Sequence, residues 1–273
     1  IRSRGLGDVY KRQIEKSIEF YNWDFILPFL PNGSFLVGGY IRDIILGRIT
    51  STVDVDIVVP SNAIEVGKKI STLFKSKFVI LDKDREVVRL IFNHISFDIA
   101  NQVVPKIEED LRSRDLSINA IAFVFGEKRI IDPLSGIKDI KLSLIKSYSN
   151  KNLINDPLRI LRCFRFVSEL NFHIDSNLMI FIEKNKGKLH LVAKERINYE
   201  IQRIIRGKNA IESIQLLKWA NLFNLEEVYK DSFFINIKEI NFELLNESEK
   251  QQYSVSYTHL RCRRQAVCRS RWW

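Results

Sequence analysis

An α+β fold is predicted: a mixed-sheet head to about residue 145, followed by an all-helical part that runs to about residue 253. Three observations predict it. Short apolar runs with period-two alternation are concentrated before residue 135. Helical periodicity dominates after residue 150, and between the two lies Asp132-Pro133-Leu134-Ser135-Gly136, a turn-rich junction. A length of 273 residues allows two such domains.

Phe35-Leu36-Val37 is the first strand. It ends in Gly38-Gly39, and Tyr40 to Leu46 then reads as one or two helical turns closed by Gly47. Glycines between a strand and a helix let backbone N–H groups approach a ligand closely, and the helix N-terminus adds partial positive charge, so this turn suits phosphate oxygens. A lone Gly-Gly, by contrast, is usually only a turn.

Val53-Asp54-Val55-Asp56-Ile57-Val58-Val59 is the second strand. Side-chain direction in a strand has period two, so both carboxylates must project from one face. Two like charges on an apolar strand are unfavourable unless a cation neutralises them, and hard oxygen ligands at this spacing suit Mg²⁺ with substrate phosphates completing its octahedron. The bland alternative is a solvated strand face.

Together, Gly38-Gly39-x-x-Arg42-Asp43 and Asp54-x-Asp56 resemble the first signature of the polymerase β superfamily, in the branch of class II tRNA nucleotidyltransferases (CCA-adding enzymes) and bacterial poly(A) polymerases. The resemblance covers roughly residues 30 to 220. It implies a nucleotidyltransferase head over 14–145 and a helical neck and partial body over 146–253, concerned with base selection and RNA binding. In that family Gly38, Gly39 and Arg42 would bind the triphosphate, Asp43 would belong to the nucleotide-binding set, and Asp54 and Asp56 would be catalytic metal ligands.

Phe78 to Leu81, Val87 to Phe92 and Ile95 to Ala100 read as the next strands, with Asp82, Asp84 and Arg85 in a mobile loop. Asp98 is a candidate third catalytic carboxylate, able to help position or deprotonate the attacking hydroxyl, provided that its strand faces Asp54 and Asp56. Without a register, an outward-facing Asp98 stays open.

Asp110-Leu111-Arg112-Ser113-Arg114-Asp115-Leu116-Ser117-Ile118-Asn119-Ala120 resembles the family's Arg-Arg-Asp motif, with Ser113 in place of its first arginine. By resemblance, Arg114 and Asp115 contact the incoming nucleotide's phosphate and sugar, and Asn119 supports the site. Arg112 is one residue off register for replacing the lost charge. The alternative is an Arg114–Asp115 capping pair at a helix start.

Asn155-Asp156-Pro157-Leu158-Arg159 opens the helical part, with Asn155 where the family usually has Glu. Asp at the cap and Pro in the first turn start a helix well and leave Asp156 and Arg159 on one side. A carboxylate accepts from an exocyclic amino group and a guanidinium donates to a ring nitrogen or carbonyl. Cytosine and adenine both offer an amino donor beside a ring acceptor, so one such pair selects C and A over U and G. Arg162 and Arg165 continue the stripe and would meet primer phosphates or the nucleotide's tail, or else form surface salt bridges. Glu195-Arg196-Ile197, with Glu200, matches a further family segment of structural character, in which Ile197, Ile201, Ile204 and Ile205 form an apolar stripe and Gly207 ends the helix.

Residues 1–13 and 254–273 lack either periodicity, resemble translated adaptor sequence, and are set aside from the fold. Arg2, Arg4, Lys11 and Arg12 against Asp8 give the first segment +3, and five arginines give the last +5; removing these 8 from the net +10 leaves +2. Overall basicity is therefore poor support for RNA binding. Cys262 and Cys268 lie in the last segment and Cys163 stands alone, which argues for a reducing compartment. His94, His173, His190 and His259 form no metal-ligand spacing. With no apolar run of membrane-spanning length and no signal pattern, a cytoplasmic protein is expected.

The expected activity is template-independent addition of C or A, from CTP and ATP, to the 3′ end of tRNA. Poly(A) polymerases and enzymes adding only CC or only A share the motifs, and a non-catalytic RNA-binding module is the alternative of another class. By resemblance, the body and tail of the family usually extend further than this chain does.

Overall fold

The computed structural model describes residues 2–48 and 51–222. The chain divides into two compact units, Ile1–Asn155 and Asp156–Trp273. The reading of a partial body from 223 to 253 and the segment 254–273 lie outside the described residues.

Seven strands of the first unit form one mixed sheet. They are β1 (Phe35–Val37), β2 (Val53–Val59), β3 (Lys77–Asp82), β4 (Val87–Phe92), β5 (Ile95–Asn101), β6 (Ala122–Val124) and β7 (Arg129–Ile131), in the order β3-β4-β5-β2-β1-β6-β7. β2 and β5 are parallel, and the other neighbours are antiparallel. A parallel pair needs a long crossover. Here it contains α3 (Ala63–Phe74) and the β3–β4 hairpin, in which Asp82 ends β3 and the turn holds Asp84 and Arg85.

Alternation along β2 splits its residues between two environments. Val53, Val55, Ile57 and Val59 are buried, as are Phe97 and Ile99 of β5 and Val88 and Leu90 of β4. Trp23, fully buried, stacks edge-on to Phe97 with ring centroids 5.6 Å apart, and its indole N–H donates to the Tyr40 hydroxyl at 3.0 Å. Packing of α3 against this layer requires Gly67, where a Cβ would come within 2.6 Å of the Val88 Cγ2. The other side of β2 carries Asp54, Asp56 and Val58. Toward β1 and β6 it becomes apolar, where Val37, Val58, Ala122, Val124 and Ile131 pack with Ile107 and Leu111 of α4 (Ile107–Ser113).

The first unit also contains α1 (Arg2–Phe20), α2 (Gly39–Ile45), α5 (Gly136–Lys141) and α6 (Asn150–Asn155). Setting residues 1–13 aside from the fold is corrected by α1, which begins at Arg2. Tyr10 and Ile14 are buried, and the Lys141 ammonium lies 5.4 Å from the centre of the Tyr10 ring. A weak local helix signal is overridden once one face finds tertiary packing.

The second unit has α7 (Leu158–Leu170), α8 (Ser176–Asn185), α9 (Lys194–Arg206) and α10 (Ala210–Trp219). Arg165 on α7 and Glu200 on α9 are both buried, and one guanidinium nitrogen donates to both carboxylate oxygens at 3.0 Å. The expectation that Arg165 meets phosphates is thereby corrected: its charge is used inside the helix packing. Hydroxyls add two more ties, Ser168 to the Ile204 carbonyl at 2.5 Å and Ser213 to the Phe164 carbonyl at 2.7 Å. Gly207 ends α9 with φ of −72°, so its value is not a left-handed turn. A Cβ there would collide with Ser168, which makes close approach to α7 the reason for glycine. No helix among the described residues is long and apolar enough to cross a membrane.

Candidate active site

The site is built on the polar stretch of the β2 face. β2 and β5 pair Asp54 with Ser96 and Asp56 with Asp98, and β4 and β5 pair Asp98 with Arg89. Partners directly opposite in a ladder share a face. Asp54, Asp56 and Asp98 therefore lie together, and the open question of the Asp98 register is answered in favour of the shared face.

Exposure falls along the strand from Asp54, open to solvent, through half-buried Asp56 to buried Val58. The Asp56 carboxyl is pushed up to about 6, first by burial and then by the neighbouring charges of Asp98 and Asp54, while Arg114 and Arg89 act in the opposite direction. Asp54 accepts a short hydrogen bond from the Ser96 hydroxyl. Asp98 is held by Arg89, whose Nε and Nη2 each donate to one carboxylate oxygen at 2.6 Å.

Gly38 closes this patch from the β1 side. Its φ is +81°, and a Cβ there would come within 2.8 Å of the Asp56 Oδ2 and 3.2 Å of the Arg114 Nη1. The glycine thus keeps space open beside a carboxylate and a guanidinium. Its own N–H donates to the Ile121 carbonyl at 3.2 Å, so this amide is used within the sheet. Gly39 opens α2.

Arg42 is buried on α2. It donates to the Asn119 Oδ1 at 2.6 Å and to both Asp43 oxygens, the closest at 2.9 Å. These bonds tie α2 to the 3₁₀ turn Ser117–Asn119. Arg114 follows the end of α4, so the alternative of a capping pair at a helix start does not hold. It pairs with Asp110 one turn earlier, at 3.2 Å, and remains a quarter exposed. Asp115 is buried and accepts from the Leu116 N–H at 2.9 Å. The structure thus gathers Gly38, Asp54, Asp56, Asp98 and Arg114 on one patch and braces it with Arg42, Asp43 and Asn119.

Asp156, Arg159 and Arg162 belong to the second unit. Asp156 lies 3.9 Å from the Arg159 Nε and 3.2 Å from the Arg196 Nη2. Pro157, not Asp156, occupies the cap position of α7, and no side chain caps it. Arg159 and Arg162 are half-buried on that helix.

Sequence reasoning missed Arg89, Ser96 and Asp110. Asp110 was accessible, because it stands four residues before Arg114 on a helix. Arg89 and Ser96 depend on strand register, which carries no local signal.

The donor set fits a hard divalent cation. Asp54 and Asp56 present carboxylates side by side, and the raised Asp56 carboxyl is a charge that burial leaves short of compensation. No group of three or more His, Cys, Asp or Glu among the described residues is arranged to hold a metal. Two carboxylates with the remaining positions left to water and substrate phosphates is the usual arrangement for Mg²⁺.

Residues 34–146 match the Poly A polymerase head domain family, and residues 171–225 match the family described as the probable RNA and SrmB-binding site of polymerase A. The chain is 38% identical to a CC-adding tRNA nucleotidyltransferase of Synechocystis over 66% of its own length and 44% of that protein's. It is 32% identical to an A-adding tRNA nucleotidyltransferase of Deinococcus radiodurans, over 73% of this chain and 46% of that one. Among solved structures, the Thermotoga maritima CCA-adding enzyme complexed with tRNA(CCA) superposes with a TM-score of 0.64 at 28% identity, covering 73% of this chain and 49% of that one. The chain spans under half the length of these relatives.

Proposed function

We propose, on the premise that this chain belongs to the polymerase A head-domain family in its class II tRNA nucleotidyltransferase branch, that it carries template-independent addition of C or A, from CTP or ATP, to the 3′ end of tRNA. The observation that carries this reading is the register of β2 and β5, which aligns Asp54, Asp56 and Asp98 on one face beside Gly38 and Arg114. In the reaction the primer's 3′-hydroxyl oxygen attacks the α-phosphorus in line, the α–β phosphoanhydride bond breaks, pyrophosphate leaves and the hydroxyl proton passes to solvent water. Asp54 and Asp56 would hold Mg²⁺ in a two-metal site, and bound Mg²⁺ supplies charge neutralisation on the triphosphate and a more acidic hydroxyl.

The chain's own groups do the rest. Gly38 and Gly39 leave the space that the triphosphate needs, and Arg114 presents its guanidinium to the phosphates. Arg42, with Asp43 and Asn119, fixes the turn against which the nucleotide rests, and Asp115 is assigned to the sugar. Asp98 contributes the third carboxylate of the face. In the second unit, Asp156 and Arg159 offer an acceptor and a donor to the Watson–Crick edge, and Arg162 offers charge to phosphate. The proposed division of labour is transfer by 14–145 and base choice and RNA binding by 146–253.

The test is incorporation of labelled CTP or ATP, with Mg²⁺, into tRNA ending before CCA, after C, after CC and after CCA, beside an unstructured RNA primer, with Asp54→Ala as control. Addition that stops at CC, at A or at CCA identifies which member of the branch this is. Continued ATP incorporation on any primer replaces the reading with poly(A) polymerase, and nucleotide binding without incorporation replaces it with a binding module.

A further inference from the structure

We infer that Arg89 is a positioning residue of the cation site: an internal counter-ion that withdraws Asp98 from the ligand set, so that Asp54 and Asp56 hold a divalent cation only jointly with the substrate's phosphates. The inference rests on the proposed reading of Asp54 and Asp56 as that site.

Three observations support it. Asp56, Asp98 and Arg89 form one row across β2, β5 and β4, each directly opposite the next. The Arg89 fork takes both oxygens of Asp98 at 2.6 Å, the geometry that makes Arg–carboxylate pairs specific as well as strong. The side chains are 40% and 25% exposed, so the pair is partly shielded from solvent. Three free aspartates on one face would attract a hard cation without substrate. With one of them neutralised, two carboxylates remain, and affinity for the cation alone must be low until triphosphate oxygens join. The cation and the nucleotide then enter as a coupled pair, which keeps the site from filling with metal unproductively. Lysine would not substitute, because a point charge cannot hold both carboxylate oxygens in a fixed plane.

Mn²⁺ alone is the probe, titrated against the full chain without nucleotide and followed by the electron paramagnetic resonance signal of the free ion. Arg89→Met is expected to tighten Mn²⁺ binding about tenfold, as loss of a nearby positive charge predicts. Asp98→Asn, which leaves the guanidinium uncompensated, is expected to loosen it, and the double variant to return near the wild-type value. A merely structural role for Arg89 would weaken binding and could not tighten it. Unchanged or weaker binding by a folded Arg89→Met protein overturns the inference. Should that variant fail to fold, Asp98→Asn decides: failure to loosen Mn²⁺ overturns it equally. Asp54→Ala separates the two levels, since Mn²⁺ binding indifferent to that change refutes the cation site itself, whereas binding that needs Asp54 but ignores Arg89 refutes only the counter-ion.

Discussion

The head and the helical unit use charged side chains in opposite ways. In the helical unit Arg165 and Glu200 are buried and matched, with both carboxylate oxygens satisfied. On the head's sheet three aspartates crowd one face, and Asp56 retains a carboxyl pushed up to about 6. Matched charge contributes to one packing arrangement and then has nothing left to offer a ligand. On the proposed reading, the unmatched charge of Asp54 and Asp56 is a stored preference for a cation, maintained because β2 cannot turn Asp56 away without turning Val58 out of the core.

If that contrast is right, Asp56→Asn abolishes transfer while leaving the fold intact. Loss of metal and charge stabilisation worth several kcal/mol corresponds to at least about a thousandfold in rate. Labelled-nucleotide incorporation alongside a thermal melt checks it, and retained activity breaks the comparison. Glu200→Gln should do the reverse: it leaves the buried Arg165 only the longer 3.7 Å contact with the Glu169 carboxylate, costing about 1–3 kcal/mol in urea unfolding. Replacing both partners by apolar residues of similar volume should recover most of that loss, because neither charge then remains buried alone.

Gly38→Ala sharpens the boundary between the two regimes. It forces a Cβ against Asp56 at a φ of +81°, so a loss of about 1–3 kcal/mol in stability is expected, together with weaker nucleotide binding by equilibrium titration. The smallest effect is a pH dependence. The folded Asp56 carboxyl, at about 6 against an ordinary 3.8, binds more protons than its unfolded counterpart between those values. Stability of the cation-free protein should therefore fall as pH rises from about 4 to about 6, by about 1–2 kcal/mol after allowance for partial exposure. Asp56→Asn should flatten that segment in unfolding curves taken across the range.

Period-two alternation made the shared face of Asp54 and Asp56 legible, and strands β1, β4 and β5 were legible from their apolar runs and the turn residues around them. Asp98 was legible as a residue but not as a neighbour, because the β2–β5 register is set by a crossover and not by local pattern. The hydrogen bond from the Gly38 amide to Ile121 needed β6, a three-residue strand too short to announce itself. Arg165 misled for a related reason. On helical spacing it continues the stripe of Arg159 and Arg162, yet each step of three residues rotates the stripe by about 60° around the axis, enough to separate a half-buried arginine from one enclosed by α9.

The parallel pairing of β2 with β5 has a consequence for how the site is assembled. Asp98 and Arg89 alternate along their strands with Phe97, Ile99, Val88 and Leu90, all of them fully buried. A slip of β5 by one residue against β2 would drive Asp98 toward the Trp23 layer and bring Phe97 out among the aspartates. Such a misaligned sheet pays twice, in buried charge and in wetted aromatic surface, so chains that fold at all fold with the acidic row in line. The row is thereby proofread by collapse: the same alternation that fills the core selects the one alignment that sets Asp56, Asp98 and Arg89 side by side.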